Sequence, residues 1–330
     1  MNPTGNKARS FFLAKYLNEH SDPDHLICAN KLIQILNENG YTATRKTLLD
    51  DIDTLRNAGF QIIEHINGCV SYAIGNRTFT LSELRFLISA VSSSNFLTQE
   101  NSEKLIKKLT TLASVNYSEK LSAYSFSAQT AKTQNNDSFK IMEIVGQAIE
   151  SSKKILFRYF KYNENRTLVP RDTYIVSPYA VLWKDDRCYM LAYTEKRHII
   201  QSFRIDRMGI PEITEETIVP KPENFNISDY TIGTVKMYGA DNMTEVELLC
   251  GNELMNTLVD HFGADFPFCP AGSDCFKARI TVGLGSTFYG WLFQYAGRIR
   301  LLSPASAVEE YKKLAEEVLK EEFQIGENVC

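Results

Sequence analysis

The chain has no apolar run near the roughly 18 residues that a membrane-spanning helix needs, so no spanning segment is expected. Its first residues, Met1 to Arg9, lack the apolar core of a secretory signal. Histidine is scarce: His20, His25, His65, His198 and His261 are dispersed, and none sits in a metal-ligand or nucleophile motif. Zinc spacing is missing too, since Cys269 and Cys275 stand apart without histidine companions. There is neither a P-loop nor a nucleophile elbow. Gly283-Leu-Gly285 starts like a dinucleotide fingerprint, but the third glycine would fall at Phe288. Nothing positive therefore supports an enzyme, and no catalytic residue, metal or cofactor is expected. The seven cysteines are odd in number and scattered, which argues against a disulfide framework and for a reducing, cytoplasmic setting.

What is present is a globular composition, 44% hydrophobic and 23% charged, over 330 residues. That length exceeds one ordinary core and predicts two or three domains. The net charge of −4 is unevenly spread. Residues 153–208 carry 12 Lys and Arg against 6 Asp and Glu, whereas residues 209–330 carry 9 against 19. A basic centre precedes an acidic tail. Net acidity excludes a chain that coats nucleic acid with its whole surface, but leaves room for one positive face.

Helical periodicity marks a first helix over 8–18, with Phe11, Phe12, Ala14 and Leu17 on its apolar stripe. A second runs from Leu26 to a C-cap at Asn39-Gly40, and a third from Arg45 to Ala58, where Gly59 stops it. Leu48, Leu49, Ile52 and Leu55 are expected inward on the third. The period then changes to alternation over 60–66, Asn67-Gly68 signals a hairpin, and a return strand follows over 69–74. Three short helices and a two-stranded ribbon predict a winged helix-turn-helix. Its third helix would enter the major groove with Thr44, Arg45, Lys46 and Thr47 leading. Asp50, Asp51 and Asp53, in mid-helix, are expected to repel the phosphate backbone. The segment Thr44–Gly59 resembles the recognition helix of DeoR/YafY-type regulators, whose pattern is S-x-R-T-x-x-R-D-I-x-x-L-x-x-x-G. Asp51 belongs to that pattern, while Asp50 stands where the family usually carries a basic residue.

Residues 80–137 read as a helical linker. It starts at a capping box, Thr80 with Glu83, and ends in a polar loop over 122–137. Its apolar helix faces are a candidate dimerisation surface, since paired half-sites are read by dimers.

After a helix over 139–151, five strands are expected over 155–162, 166–170, 173–183, 187–194 and 198–205. Strands this short predict a small Sm/SH3-like β-barrel. The stretches Val176–Tyr193 and Ile200–Met208 resemble a WYL domain, with pattern V-x-P-Y-x-L…G-x-W-Y-L-x-A/G-Y…x-R-x-F-R-L-D-R-I. The naming triad is replaced by Cys188-Tyr189-Met190, and Trp183 is a candidate to fill the lost core volume. The resemblance implies a sensor that holds an anionic small molecule or oligonucleotide with guanidiniums and aromatic faces. Arg204 and Arg207 match the two arginines of F-R-L-D-R, Tyr179 follows the matched proline, and Tyr189 is the retained triad tyrosine. Arg187, Gln201 and Arg166 are added by their proximity in the pattern. Asp206 is an obvious ion-pair partner for one arginine.

Beyond a connector, residues 244–322 alternate strand and helix, which predicts a ferredoxin-like layer resembling the C-terminal extension of WYL proteins. The expected class is multidomain α+β: a winged helix-turn-helix over 1–79, the linker over 80–137, the WYL domain over 138–212 and the extension over 213–330. The expected function is a ligand-responsive regulator that binds a double-stranded DNA operator as a cytoplasmic homodimer, with no membrane partner. The alternative is an accessory module, for example of a defence system, that binds protein or nucleic acid without reading DNA.

Overall fold

The computed structural model describes residues 6–122, 132–184, 186–223, 225–233 and 243–319. The chain is a multidomain α+β protein with several antiparallel sheets, and it divides into two units, Met1–Asn136 and Asp137–Cys330. Among the described residues, no helix is long and apolar enough to cross a membrane, and no group of three or more His, Cys, Asp or Glu is placed to hold a metal.

In the first unit, α1 (Asn6–His20), α2 (Ala29–Glu38) and α3 (Arg45–Asn57) surround a core of Leu13, Leu17, Leu32, Leu36, Leu48 and Ile52. The inward stripe of α1 is Arg9, Leu13 and Leu17, one residue every four, and Phe11 points away at 81% exposure, which corrects its expected place. On α3 the stripe is Leu48, Asp51, Ile52 and Leu55, so Leu49 is exposed rather than inward. Before α2 the chain is extended, not helical. Strand β1 (Ile27–Cys28) pairs with β3 (Cys69–Ile74), which pairs in turn with β2 (Ile62–Asn67), giving the order β1-β3-β2. Gly59 leaves α3 at φ 93° and Gly68 turns the hairpin at φ 71°, conformations that cost a glycine nothing.

Helices α4 (Leu81–Ser93), α5 (Gln99–Thr110) and α6 (Val115–Ser122) follow, around Leu84, Ile88, Ala113 and Leu121. Thr80 and Glu83 form the capping box at the head of α4. Of the polar loop expected over 122–137, residues 123–131 lie outside the described residues. A buried carboxylate ties α6 to the turn after α1: Asp22 accepts from Ser114 Oγ at 2.5 Å and Asn116 Nδ2 at 3.4 Å, with His25 Nδ1 at 2.7 Å. Burial raises the Asp22 pKa, but these hydrogen bonds, Ser114 foremost, outweigh it and leave the group below its ordinary value.

The second unit begins with α7 (Ser138–Glu150), whose buried face Ile141, Val145 and Ala148 packs against the sheet behind it. That sheet contains β4 (Lys153–Tyr162), β5 (Leu168–Lys184), β6 (Arg187–Thr194), β7 (Ile199–Arg204) and β8 (Glu212–Thr217) in the order β7-β6-β5-β4-β8. Two differences from expectation stand out. The segments 166–170 and 173–183 are one strand, because Arg171 is accommodated as a bulge opposite Tyr159 and Phe160. The fifth strand is β8, in the segment expected to be a connector, where it pairs with β4. A second register shift falls at Tyr179, between Pro178 and Ala180. Strand β6 is buried on both faces. Cys188, Met190 and Ala192 lie on one; Tyr189 and Leu191 lie on the other, under Tyr230, Phe225 and Ile227. Trp183 is 54% exposed and does not fill the core beside Cys188.

After the short helix α8 (Ile227–Gly233) come β9 (Met243–Gly251), α9 (Met255–Phe262), β10 (Phe268–Pro270), β11 (Cys275–Gly283), α10 (Ser286–Phe293), β12 (Ile299–Ser303) and α11 (Ala305–Leu319). The antiparallel sheet has the order β10-β11-β9-β12. Alternate residues of β9 and β11 point into a core closed by Phe288, Trp291 and Leu292 of α10. The strand–helix alternation of the sequence carries no trace of β10, which has three exposed residues.

Candidate functional site

Two basic constellations are the candidates for functional chemistry. The first is the opening turn of α3. The Thr44 N–H donates to Thr47 Oγ1 at 2.8 Å, and the Thr47 N–H donates to Thr44 Oγ1 at 3.3 Å. This reciprocal cap satisfies two donors that a helix start leaves open, and it engages both threonine hydroxyls. Arg45 and Lys46, between them, are exposed and have no ion-pair partner among the described residues. The three mid-helix acids separate in role. Asp51 is 3% exposed and accepts from Arg9 Nε at 2.6 Å and Ser10 Oγ at 2.6 Å, so it faces the core and repels nothing outside. The Asp51 hydrogen bond, against the opposing effect of burial, raises the Arg9 pKa. Asp53 approaches Arg56 at 3.4 Å, and Arg56 bridges to Glu64 on β2 at 2.7 Å. Asp50 alone of the three is exposed on the helix surface with no ion pair among the described residues.

The second constellation lies around Asp206, in the 3-10 turn Ile205–Arg207 after β7. Arg204 grips this buried carboxylate with two bonds, Nε at 3.0 Å and an Nη at 2.7 Å, and Arg187 reaches it at 3.5 Å. Cross-strand register puts Arg204 opposite Tyr189, so both share a face with Arg187. Burial, then repulsion by Arg204, lowers the Arg187 pKa, with Arg207 adding a smaller push. Burial also opposes the charge on Arg204, but the bonds to Asp206 more than offset it and its pKa is raised. Arg207 acts on both Arg187 and Tyr159, and its Nε is buried with no hydrogen-bond partner among the described residues. Among the described residues, two guanidiniums thus bind one carboxylate, a third lies close to them, and an orphaned N–H donor is left over.

One aromatic ring, Tyr159, borders the cluster. Tyr159 accepts the Arg204 backbone N–H at 3.2 Å and packs with Phe203 at 5.6 Å; Tyr174 lies 4.9 Å from Phe203. Desolvation raises the pKa of both tyrosines. Sequence reasoning missed Tyr159; the only signal was an aromatic at an alternate position of β4. Tyr189, beside the cluster, is buried with Leu191 and Tyr230. The remaining candidates are dispersed, and the Tyr179 hydroxyl donates to the carbonyl of Val219 at 2.9 Å. Gln201 pairs with Ala192, on the opposite face from Arg204. Arg166 sits in the exposed turn between β4 and β5 at φ 59°.

Residues 140–213, from α7 into β8, match the model of the WYL domain family. The chain carries a WYL domain. Its arginine cluster lies wholly inside the matched residues. Over 286 residues the chain is 23% identical to the HTH-type transcriptional regulator YobV of Bacillus subtilis (strain 168), covering 81% of this chain and 86% of the relative. Two solved structures are also similar. The proteasome accessory factor B/C (PafBC) of Arthrobacter aurescens is 16% identical with a TM-score of 0.29, over 95% of this chain and 48% of that one. The chain thus spans about half of that protein's length. A CRISPR Cas-related protein is 12% identical with a TM-score of 0.38, over 72% of this chain and 71% of the other.

Proposed function

We propose that this chain is a transcriptional regulator that binds double-stranded DNA through its first unit and an anionic ligand through its WYL domain. The observation that carries the DNA half is the opening turn of α3, where Arg45 and Lys46 stand exposed on a capped helix start. With three helices and a hairpin in this order, the unit is best read as a winged helix-turn-helix whose α3 enters the major groove. Likeness along most of its length to a regulator described as HTH-type agrees with that reading. The helices α4 to α6 are then a linker offering a dimer surface, and the strand order of the last sheet suits a ferredoxin-like extension.

The sensor half rests on the gathering of Arg187, Arg204 and Arg207 near Asp206, with the buried Nε of Arg207 lacking a hydrogen-bond partner among the described residues. A buried cationic surplus is costly unless an anion shares it, and forked guanidiniums suit phosphate or carboxylate oxygens. Arg187, Arg204 and Arg207 would hold the anion, with Tyr159 beside it for a flat ring. Binding changes DNA affinity only by the ligand's differential affinity for two conformations of the protein. The test is a mobility shift on the DNA upstream of the chain's own coding sequence, with and without the compound identified by mass spectrometry of the purified protein. A shift that responds to the compound supports the proposal; no shift on any upstream fragment turns it toward the accessory-module alternative.

A further inference from the structure

Two of the cysteines in the first unit come together although they are far apart in sequence. Cys28 lies on β1 opposite Ser71 of β3, and Cys69 stands two residues before Ser71 on the same face. The two thiols are therefore diagonal neighbours. The Cys69 sulfur is 3.4 Å from Ser71 Oγ, the side chain directly opposite Cys28. Both thiols are free and partly exposed, in contrast to the fully buried Cys188 and Cys250.

Cys28 also occupies the N-cap position of α2. No cap hydrogen bond closes there, but the positive end of the helix favours a thiolate. The nearby Cys69 thiol first, and then the N–H dipoles of Asn30 and Lys31 at the helix start, hold the Cys28 thiol below its ordinary range. A thiolate nucleophile with a second thiol in reach is the arrangement that reversible thiol oxidation requires.

We propose that Cys28 and Cys69 form a dithiol that a hydroperoxide oxidises to a disulfide, pinning the start of α2 to the turn end of the β2–β3 hairpin. The Cys28 thiolate attacks one peroxide oxygen, the O–O bond breaks, and hydroxide leaves to take up a proton as water. The Cys69 sulfur then attacks the resulting sulfenic sulfur, the S–O bond breaks, and the second hydroxide departs with the Cys69 proton. Two thiols and one hydrogen peroxide give one disulfide and two waters. Diagonal Cα atoms lie about 7–8 Å apart, whereas a disulfide spans about 4.4–6.8 Å. Closure therefore draws β1 toward the hairpin, and β1, only two residues long, is the element free to move. Any effect on DNA affinity rests on the winged-helix reading; the chemistry does not.

The experiment treats the reduced full-length chain with hydrogen peroxide at one equivalent and maps unreduced tryptic peptides by mass spectrometry. The expected product is the linked Cys28 and Cys69 peptides, with loss of two thiols per chain that dithiothreitol restores. In Cys69→Ser, the link is absent and dimedone labels Cys28 as a sulfenic acid. The proposal is overturned if wild type yields sulfinic acids without the linked peptide, if either cysteine is linked elsewhere, or if neither reacts before Cys269. The wild-type map decides the matter even if the variant fails to fold.

Discussion

Arg45 and Lys46 stand in water at the start of α3, whereas Arg187 and Arg204 share one buried carboxylate with Arg207 close by. Exposed charges are screened within about 8 Å at physiological salt, so the first pair suits a polyanion met in many registers. Half-buried arginines are held in place by Asp206 and a sheet, and they lose hydration in exchange for fixed geometry. Such a site suits one small anion in one pose. In the proposed reading, burial divides the same side-chain chemistry between attraction and recognition.

Removing the carboxylate is the severest test of that division. Asp206→Ala removes the carboxylate that Arg187 and Arg204 share, and breaking a buried pair costs about 3–5 kcal/mol. Thermal or urea unfolding of the second unit should show the loss; a change below about 1 kcal/mol would mean that the cluster is as solvated as a surface pair. Next in size is Arg204→Ala. A bond from a charged donor is worth about 1.5–3 kcal/mol, so binding of a short labelled single-stranded oligonucleotide should weaken roughly 10- to 100-fold. Arg166→Ala, in the exposed turn, should leave that binding unaltered. Equal losses in both variants would replace a defined site by diffuse attraction.

The first unit offers a smaller, pH-dependent effect. Because the folded pKa of Asp22 is depressed, its stabilisation is present above the unfolded value and is lost as pH falls through the folded one. Asp22→Asn should therefore be less stable than wild type at neutral pH, by about 1–3 kcal/mol. That gap should shrink below about pH 4, followed by denaturant melts across pH; a gap that widens with acid would reverse the sign. Smallest is Asp50→Ala. It should leave stability within about 0.5 kcal/mol while slightly tightening DNA binding, whereas Asp51→Ala should unfold the unit more readily by breaking its bonds to Arg9 and Ser10.

Features written in neighbouring residues were legible in the sequence. The Thr80–Glu83 capping box, the Asn67-Gly68 turn and the Gly59 stop each depend on contacts a few residues apart. Features that depend on remote partners were not. Asp51 looked like a liability because its partner Arg9 lies 42 positions away on another helix. Strand β8 is polar and mostly exposed, so no alternation announced it; only its pairing with β4 defines it. Tyr189 read as a pocket residue by pattern, yet the segment around Tyr230 covers it. At the arginine cluster, F-R-L-D-R spacing pointed to Arg204 and Arg207, while strand register brought Arg187 to them and left Gln201 on the other face.

Whether the two basic sites do separable work is decided by duplex affinity measured over a salt series. Arg45→Ala with Lys46→Ala should weaken binding to the upstream duplex and reduce the log–log salt slope by about 2, one for each phosphate no longer neutralised. Arg204→Ala should leave both affinity and slope as in wild type. An unchanged slope in the first variant, or a reduced one in the second, would refute the division.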